Sequence, residues 1–201
     1  MRLVAENLGA ERGGEAVFDG VNFALGPGGM LVVTGFNGSG KSTLLRVVAG
    51  LLPAREGSVR IEEAGDRFAG VADACHYLGH QNAMKPAMTV NENLEFWRSF
   101  HGDPDLDTAD AIDAVGLEGV GHLPFGYLST GQKRRISIAK LLVSHRPIWL
   151  LDEPTAGLDR ASEGRVSRLI DSHRERGGIV VAATHLPLGV DNIDELRMGE
   201  C

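Results

Sequence analysis

The stretch Gly35-Phe36-Asn37-Gly38-Ser39-Gly40-Lys41-Ser42 decides the fold of this 201-residue chain. It matches G-x-x-x-x-G-K-[ST], follows the apolar run Met30 to Thr34, and precedes the helical run Ser42 to Ala49. A strand, a glycine-rich loop and a helix in that order form a phosphate-binding unit. The glycines let the backbone curl so that successive N–H groups and the helix N-terminus face anionic phosphates. Residues Gly35 to Ser42, together with Thr43, are therefore expected to hold a nucleotide. Lys41 would neutralise the β and γ phosphates, and the Ser42 hydroxyl would ligate Mg²⁺.

Further along, Ile148-Trp149-Leu150-Leu151-Asp152-Glu153 is an apolar run ending in two acids. Such a strand can be buried and still deliver carboxylates at its C-terminal edge, where α/β proteins bind ligands. Asp152 fits the metal side. Glu153, one residue on, fits a base that polarises the attacking water. Other strand-like runs are Leu3 to Asn7, Val21 to Leu25, Ser58 to Glu62, Ile179 to Thr184 and Ile193 to Met198. Alternation of these runs with helical patterns predicts an α/β domain with a largely parallel core sheet. The first strands, with the Gly26-Pro27-Gly28-Gly29 turn, predict an antiparallel β patch beside it.

From about Met84 to His145 the pattern is helical, which predicts a helical subdomain inserted in a single α/β domain covering 1–201. Thr89-Val90-Asn91-Glu92 fits a capping box ahead of the apolar stripe Leu94, Trp97 and Phe100, read here as core.

Composition removes several function classes. The formal net charge of -7 and pI near 5.5 provide no basic field for a nucleic acid or an anionic lipid surface. The longest apolar runs fall far short of the roughly 18 to 20 residues of a membrane span. The acidic Glu6 interrupts any export signal at the N-terminus, so a cytoplasmic chain is expected. Cys75 and Cys201 have no metal-knuckle or haem-attachment spacing and read as ordinary reduced thiols.

Between the phosphate loop and the acidic strand stands Leu128-Ser129-Thr130-Gly131-Gln132. In isolation it reads as a turn and a helix start. With all three elements in order, the chain resembles the nucleotide-binding subunit of ATP-binding cassette (ABC) proteins over essentially its whole length. The resemblance implies a P-loop ABC ATPase that uses ATP and Mg²⁺. Gln81, 40 residues after Lys41, is similar to the family's glutamine that touches Mg²⁺ and the attacking water. Ala156-Gly157-Leu158-Asp159 resembles the loop that addresses the opposite subunit, and His185 the histidine that senses the γ phosphate. In the family, the segment matching Ser129, Gly131 and Gln132 closes over a nucleotide on a second subunit, which implies a homodimer with two shared sites.

Two positions depart from the family pattern. Thr130 stands where glycine is commonest. Arg12 stands where an aromatic ring usually meets adenine, leaving Arg12 and Phe18 as alternative base contacts.

The segments Tyr77-Leu78-Gly79-His80-Gln81-Asn82-Ala83-Met84-Lys85 and Met88 to Trp97 more narrowly resemble the CcmA family of cytochrome c maturation ATPases. That resemblance implies a peripheral subunit on the cytoplasmic face of the bacterial inner membrane. Its implied partners are the membrane subunit CcmB, with CcmC, CcmD and the haem chaperone CcmE. The work implied is haem export or release of the loaded chaperone. No regulatory domain of the sugar-importer type is expected after the last strand. By the same analogy the membrane partner docks in a cleft lined by residues 81 to 88 and the Leu94, Trp97, Phe100 helix. His76 and His80 fit that coupling region better than a haem site. The alternatives are another small ABC exporter or a soluble ABC ATPase of DNA repair, translation or iron-sulfur assembly. Intact Lys41, Asp152, Glu153 and His185 argue against a non-hydrolysing cassette.

Overall fold

The computed structural model describes residues 1–199, except for the side chain of Asp66, so Cys201 lies outside the described residues. Contacts divide the chain into two compact units. The first comprises Met1–Gly79, Arg146–Glu153 and the chain from Ile170 onward; the second comprises His80–His145 and Pro154–Leu169.

In the first unit, β1 (Arg2–Arg12), β2 (Glu15–Leu25) and β4 (Glu56–Glu62) form an antiparallel sheet in the order β2-β1-β4. The β1–β2 hairpin closes at Gly13 and Gly14, both at positive φ, which glycine adopts without a Cβ penalty. Both strands run well past the expected bounds. Their tips carry Glu11, Arg12 and Glu15, exposed polar residues that satisfy the ladder without an apolar pattern.

The second sheet is parallel, in the order β5-β6-β7-β3-β8. β3 (Met30–Thr34), β6 (Ile148–Asp152) and β7 (Ile179–Ala183) lie at its centre, and their near-continuous apolar sequences match burial on both faces. β8 is Asp194–Arg197, and β5 is Cys75–Leu78. β5 had no counterpart among the expected strands. Its four residues, Cys-His-Tyr-Leu, show neither alternation nor an apolar run, and pairing with β6 places His76 opposite Trp149 and buries it. α1 (Lys41–Val48) turns Leu44, Leu45, Val47 and Val48 into the core shared with both sheets. A short helix, α2 (Val71–Ala74), leads into β5. The buried Cys75 thiol is pushed up to about 12 by desolvation, which keeps it protonated and unreactive.

The second unit carries α3 (Val90–His101), α4 (Thr108–Ala114), α5 (Thr130–Ala139) and the start of α6 (Arg160–Glu175). The capping box at α3 is present as expected. Thr89 accepts from the Glu92 backbone N–H, and Glu92 accepts from that of Thr89. The core reading of the apolar stripe holds for Leu94, fully buried, and fails for Phe100, which is 66% exposed. Phe100 instead stacks on Phe96 and meets Trp97 edge-on, an aromatic cluster with an open outer face. Lys140, just past α5, sits over the Trp97 indole at 4.6 Å. Burial and the neighbouring Arg134 lower its ammonium to about 8.

Candidate functional site

In the first unit the phosphate loop is built as the motif requires. Gly35, Gly38 and Gly40 all have φ between 93° and 137°. A Cβ on Gly40 would come 2.8 Å from Val17, so only glycine fits beneath that turn. α1 begins at Lys41 with no side-chain cap, and its first N–H groups remain available to an anion. Lys41, buried at its base, folds its Nζ back onto the carbonyl oxygens of Gly35 and Phe36 at 2.7 and 3.0 Å. The Ser39 hydroxyl is buried with no hydrogen-bond partner among the described residues. A buried orphan hydroxyl inside a glycine cradle fits a phosphate oxygen.

β6 delivers Asp152 and Glu153 next to this loop. Ser42 Oγ donates to Asp152 Oδ1 at 3.0 Å, so a hydroxyl and a carboxylate converge beside the cradle. Among the described residues no group of three or more His, Cys, Asp or Glu side chains could hold a metal by itself. The Ser42–Asp152 pair therefore suits Mg²⁺, which binds through one or two protein oxygens and completes its shell with phosphates and water.

Glu153 is almost buried and held at φ 47°, a conformation costing a non-glycine residue about 1–3 kcal/mol. Its backbone N–H donates to Ala183 O, which anchors the turn to the end of β7. The carboxylate is gripped on both oxygens. His185 Nδ1 lies 2.9 Å from Oε1, and the buried Thr184 hydroxyl lies 3.2 Å from Oε2. With Glu153 ionised, His185 presents Nδ1–H to it and leaves Nε2 for another group. Thr184 was not anticipated. A threonine ending the apolar run Ile179 to Ala183, one residue before His185, was the available signal.

The second unit holds the remaining candidates. Ser129 caps α5: its Oγ accepts from the Gln132 backbone N–H, and the Gln132 side chain accepts from the Ser129 backbone N–H. Ser129 and Thr130 are exposed, and Gly131 is half-buried. A Cβ on Gly131 would lie 3.6 Å from the Gly157 carbonyl, so the pentapeptide and the loop at 156–159 are neighbours. Arg134 Nε donates to Pro154 O and ties that loop to α5. Asp159 Oδ1 accepts the Ser162 backbone N–H at the start of α6, which holds its carboxyl below the ordinary value.

Gln81 is exposed in the loop after β5. His76 is buried in β5 and His80 is exposed. Arg12 is exposed at the hairpin tip, whereas Phe18 packs on the core with its ring 3.3 Å from where a Gly40 Cβ would stand. A cavity of about 240 Å³ is lined by Ala83, Met84, Lys85, Met88, Asn93, Phe96 and Trp97. Of the residues expected to line a docking cleft, Ala83, Met84, Lys85, Met88 and Trp97 line this cavity, whereas Leu94 is buried and Phe100, packed on Phe96 and Trp97, is not among the lining residues.

The sequence matches the ABC transporter family over residues 18–156. A relative from Mesorhizobium japonicum, a cytochrome c biogenesis ATP-binding export protein CcmA, is 68% identical over 199 residues, covering 99% of this chain and 98% of its own. A CcmA protein of the same description from Brucella abortus is 62% identical over 191 residues, covering 95% of this chain and 88% of its own. Among solved structures, a dimeric ATP-binding cassette in a post-hydrolysis state with ADP and Pi superposes with a TM-score of 0.78. It is 25% identical, covering 92% of this chain and 88% of that one. The chain belongs to the ABC transporter family and, within it, to the cytochrome c biogenesis ATP-binding export proteins, CcmA.

Proposed function

We propose that this chain is the ATP-hydrolysing subunit of a membrane ABC complex for c-type cytochrome biogenesis. One observation carries the hydrolytic part of that reading. Glu153, one residue after the carboxylate bonded to Ser42, is held on both oxygens by Thr184 and His185. In this reading, loop N–H groups, the Ser39 hydroxyl and Lys41 bind the phosphates of ATP, with Lys41 exchanging its two carbonyl partners for phosphate oxygens. Ser42 and Asp152 would hold Mg²⁺, which would neutralise charge on the β and γ phosphates, and Gln81 remains a candidate ligand by the family resemblance alone. Glu153 Oε1 or Oε2 accepts a hydrogen bond from the attacking water and orients it in line with the γ phosphate. His185 steadies that carboxylate and directs Nε2 toward the transferring group.

Ser129, Gly131 and Gln132, with Asp159 nearby, serve the nucleotide of a second copy, so ATP closes a homodimer and hydrolysis reopens it. Arg12 and Phe18 remain the two candidates for the base. The dimer works at the cytoplasmic face of the inner membrane, bound to a CcmB-type membrane subunit, with CcmC, CcmD and CcmE as further partners. No helix among the described residues is long and apolar enough to cross a membrane. The cycle drives haem export or release of the haem-loaded chaperone.

Glu153→Gln tests the chemistry. ATP binding should persist while hydrolysis falls by about 10²–10⁴, and a closed ATP-bound dimer should accumulate. Wild-type turnover in that variant would remove Glu153 from the role. Purification from native membranes tests the assembly: a CcmB-type subunit should accompany the chain, and an unrelated permease in its place would overturn the pathway.

A further inference from the structure

The geometry points to Met198 and Gly199 as positioning residues that form the floor of the phosphate loop. Two consecutive residues touch the loop at three places. The Met198 backbone N–H donates to Thr34 O at 2.9 Å, which extends the β3–β8 pairing to the edge of Gly35. Its carbonyl then lies directly against Gly35, where any Cβ would collide with it. The Met198 side chain is buried and passes beneath the loop, with Cε 3.3 Å from the place a Gly40 Cβ would occupy. Gly199, at φ 84°, lies against the ring of Phe36, which a Cβ there would strike.

The first and last glycines of the motif and the residue after the first are thus backed by one dipeptide. Within the loop the Ser39 N–H donates to Phe36 O, and Lys41 bonds the Gly35 and Phe36 carbonyls, a contact for which a bound phosphate would compete. A packed floor holds the curl in both states. Methionine suits this place because its long apolar side chain has the volume to fill the space under the glycine turn. Val17 and Phe18 close the same space from β2, so removing the thioether leaves a gap the loop can sink into.

The proposal rests on Gly35 to Thr43 being the ATP site, which Lys41→Ala tests separately. Full ATP affinity in Lys41→Ala would defeat the site itself. The floor is tested in the full-length chain by ATP binding and steady-state hydrolysis of Met198→Ala, Met198→Leu and Gly199→Ala. Met198→Ala should raise Kd and KM for ATP about tenfold with kcat within about twofold, since displacement of a binding loop by a fraction of an ångström weakens its contacts. Met198→Leu should restore both constants to within about twofold of the parent, because a similar volume refills the floor. Gly199→Ala, which perturbs the Phe36 contact without opening the core, should raise KM in the same direction and carries the test if Met198→Ala does not fold. Unchanged KM in folded Met198→Ala or Gly199→Ala, or Met198→Leu as weak as Met198→Ala, would overturn the assignment.

Discussion

The two units present their proposed nucleotide-binding residues in opposite ways. In the first, Lys41, Asp152, Glu153 and Thr184 are buried or nearly so, and they are bonded through Ser42, the loop carbonyls and His185. In the second, Ser129, Thr130, Gly157 and Asp159 are exposed, and their bonds are local helix caps. A site assembled in place can bind and position; a rigid, capped, solvent-facing edge is ready to meet something brought to it. In the proposed function the buried half carries the chemistry, and the exposed half meets a phosphate that another chain holds.

The comparison breaks most completely at Lys41. Lys41→Ala should abolish ATP retention in equilibrium binding and leave the α5 cap and the 156–159 loop unaffected. Retained nucleotide would mean the buried half is not the phosphate site. Next in size, Thr184→Val removes one of the groups that hold Glu153. A hydrogen bond to a charged group contributes about 1.5–3 kcal/mol, so kcat should fall about tenfold or more with KM little changed. An unaltered kcat would show that His185 suffices.

Ser129 sharpens the contrast, because it serves a helix and, in this account, a neighbour's phosphate. Ser129→Ala should cost about 1 kcal/mol of stability as a lost cap and reduce ATP-driven dimerisation as well. Ser129→Asp keeps the cap but sets a carboxylate against phosphate. Thermal stability should recover in Ser129→Asp while dimerisation does not, and joint recovery would reduce Ser129 to a cap.

The remaining effect concerns Lys140 in the second unit and touches stability, not turnover. Its folded-state value of about 8 lies below the ordinary 10.5, so between those values the unfolded chain binds more protons than the folded one. Stability therefore rises as pH increases from about 8 toward 10.5, and the full cost of the buried charge is present below 8. Lys140→Met should flatten that rise in thermal melts across pH 7 to 10. An unchanged slope would place the charge in water.

Much of this was legible in the chain itself. β3, β6 and β7 are apolar because both faces are covered, and the phosphate loop, Asp152 and Glu153 are local sequence features at their ends. The family resemblance supplied the dimeric reading of Ser129 and Asp159. The rest depended on which distant surfaces meet. β5 is a strand through its pairing with β6, not through its own four residues. Phe100 stands six residues beyond Leu94, about 120° around the helix, so the two point to different faces and only Leu94 finds cover. Thr184 and Met198 owe their places to long-range packing against Glu153 and Gly40, and no periodicity marks either.

The central claim is that the phosphate loop of one chain is completed by the signature segment of another. Mixing Lys41→Ala chains with Ser129→Arg chains, both in a Glu153→Gln background, tests it directly. Each variant alone should fail to form an ATP-bound dimer, because every site lacks its loop or its signature. The mixture creates one site with an intact loop from one chain and an intact Ser129 from the other. The mixture should form ATP-dependent heterodimers holding one nucleotide per pair; no more bound ATP and no more dimer than in the two variants separately would rule out a shared site.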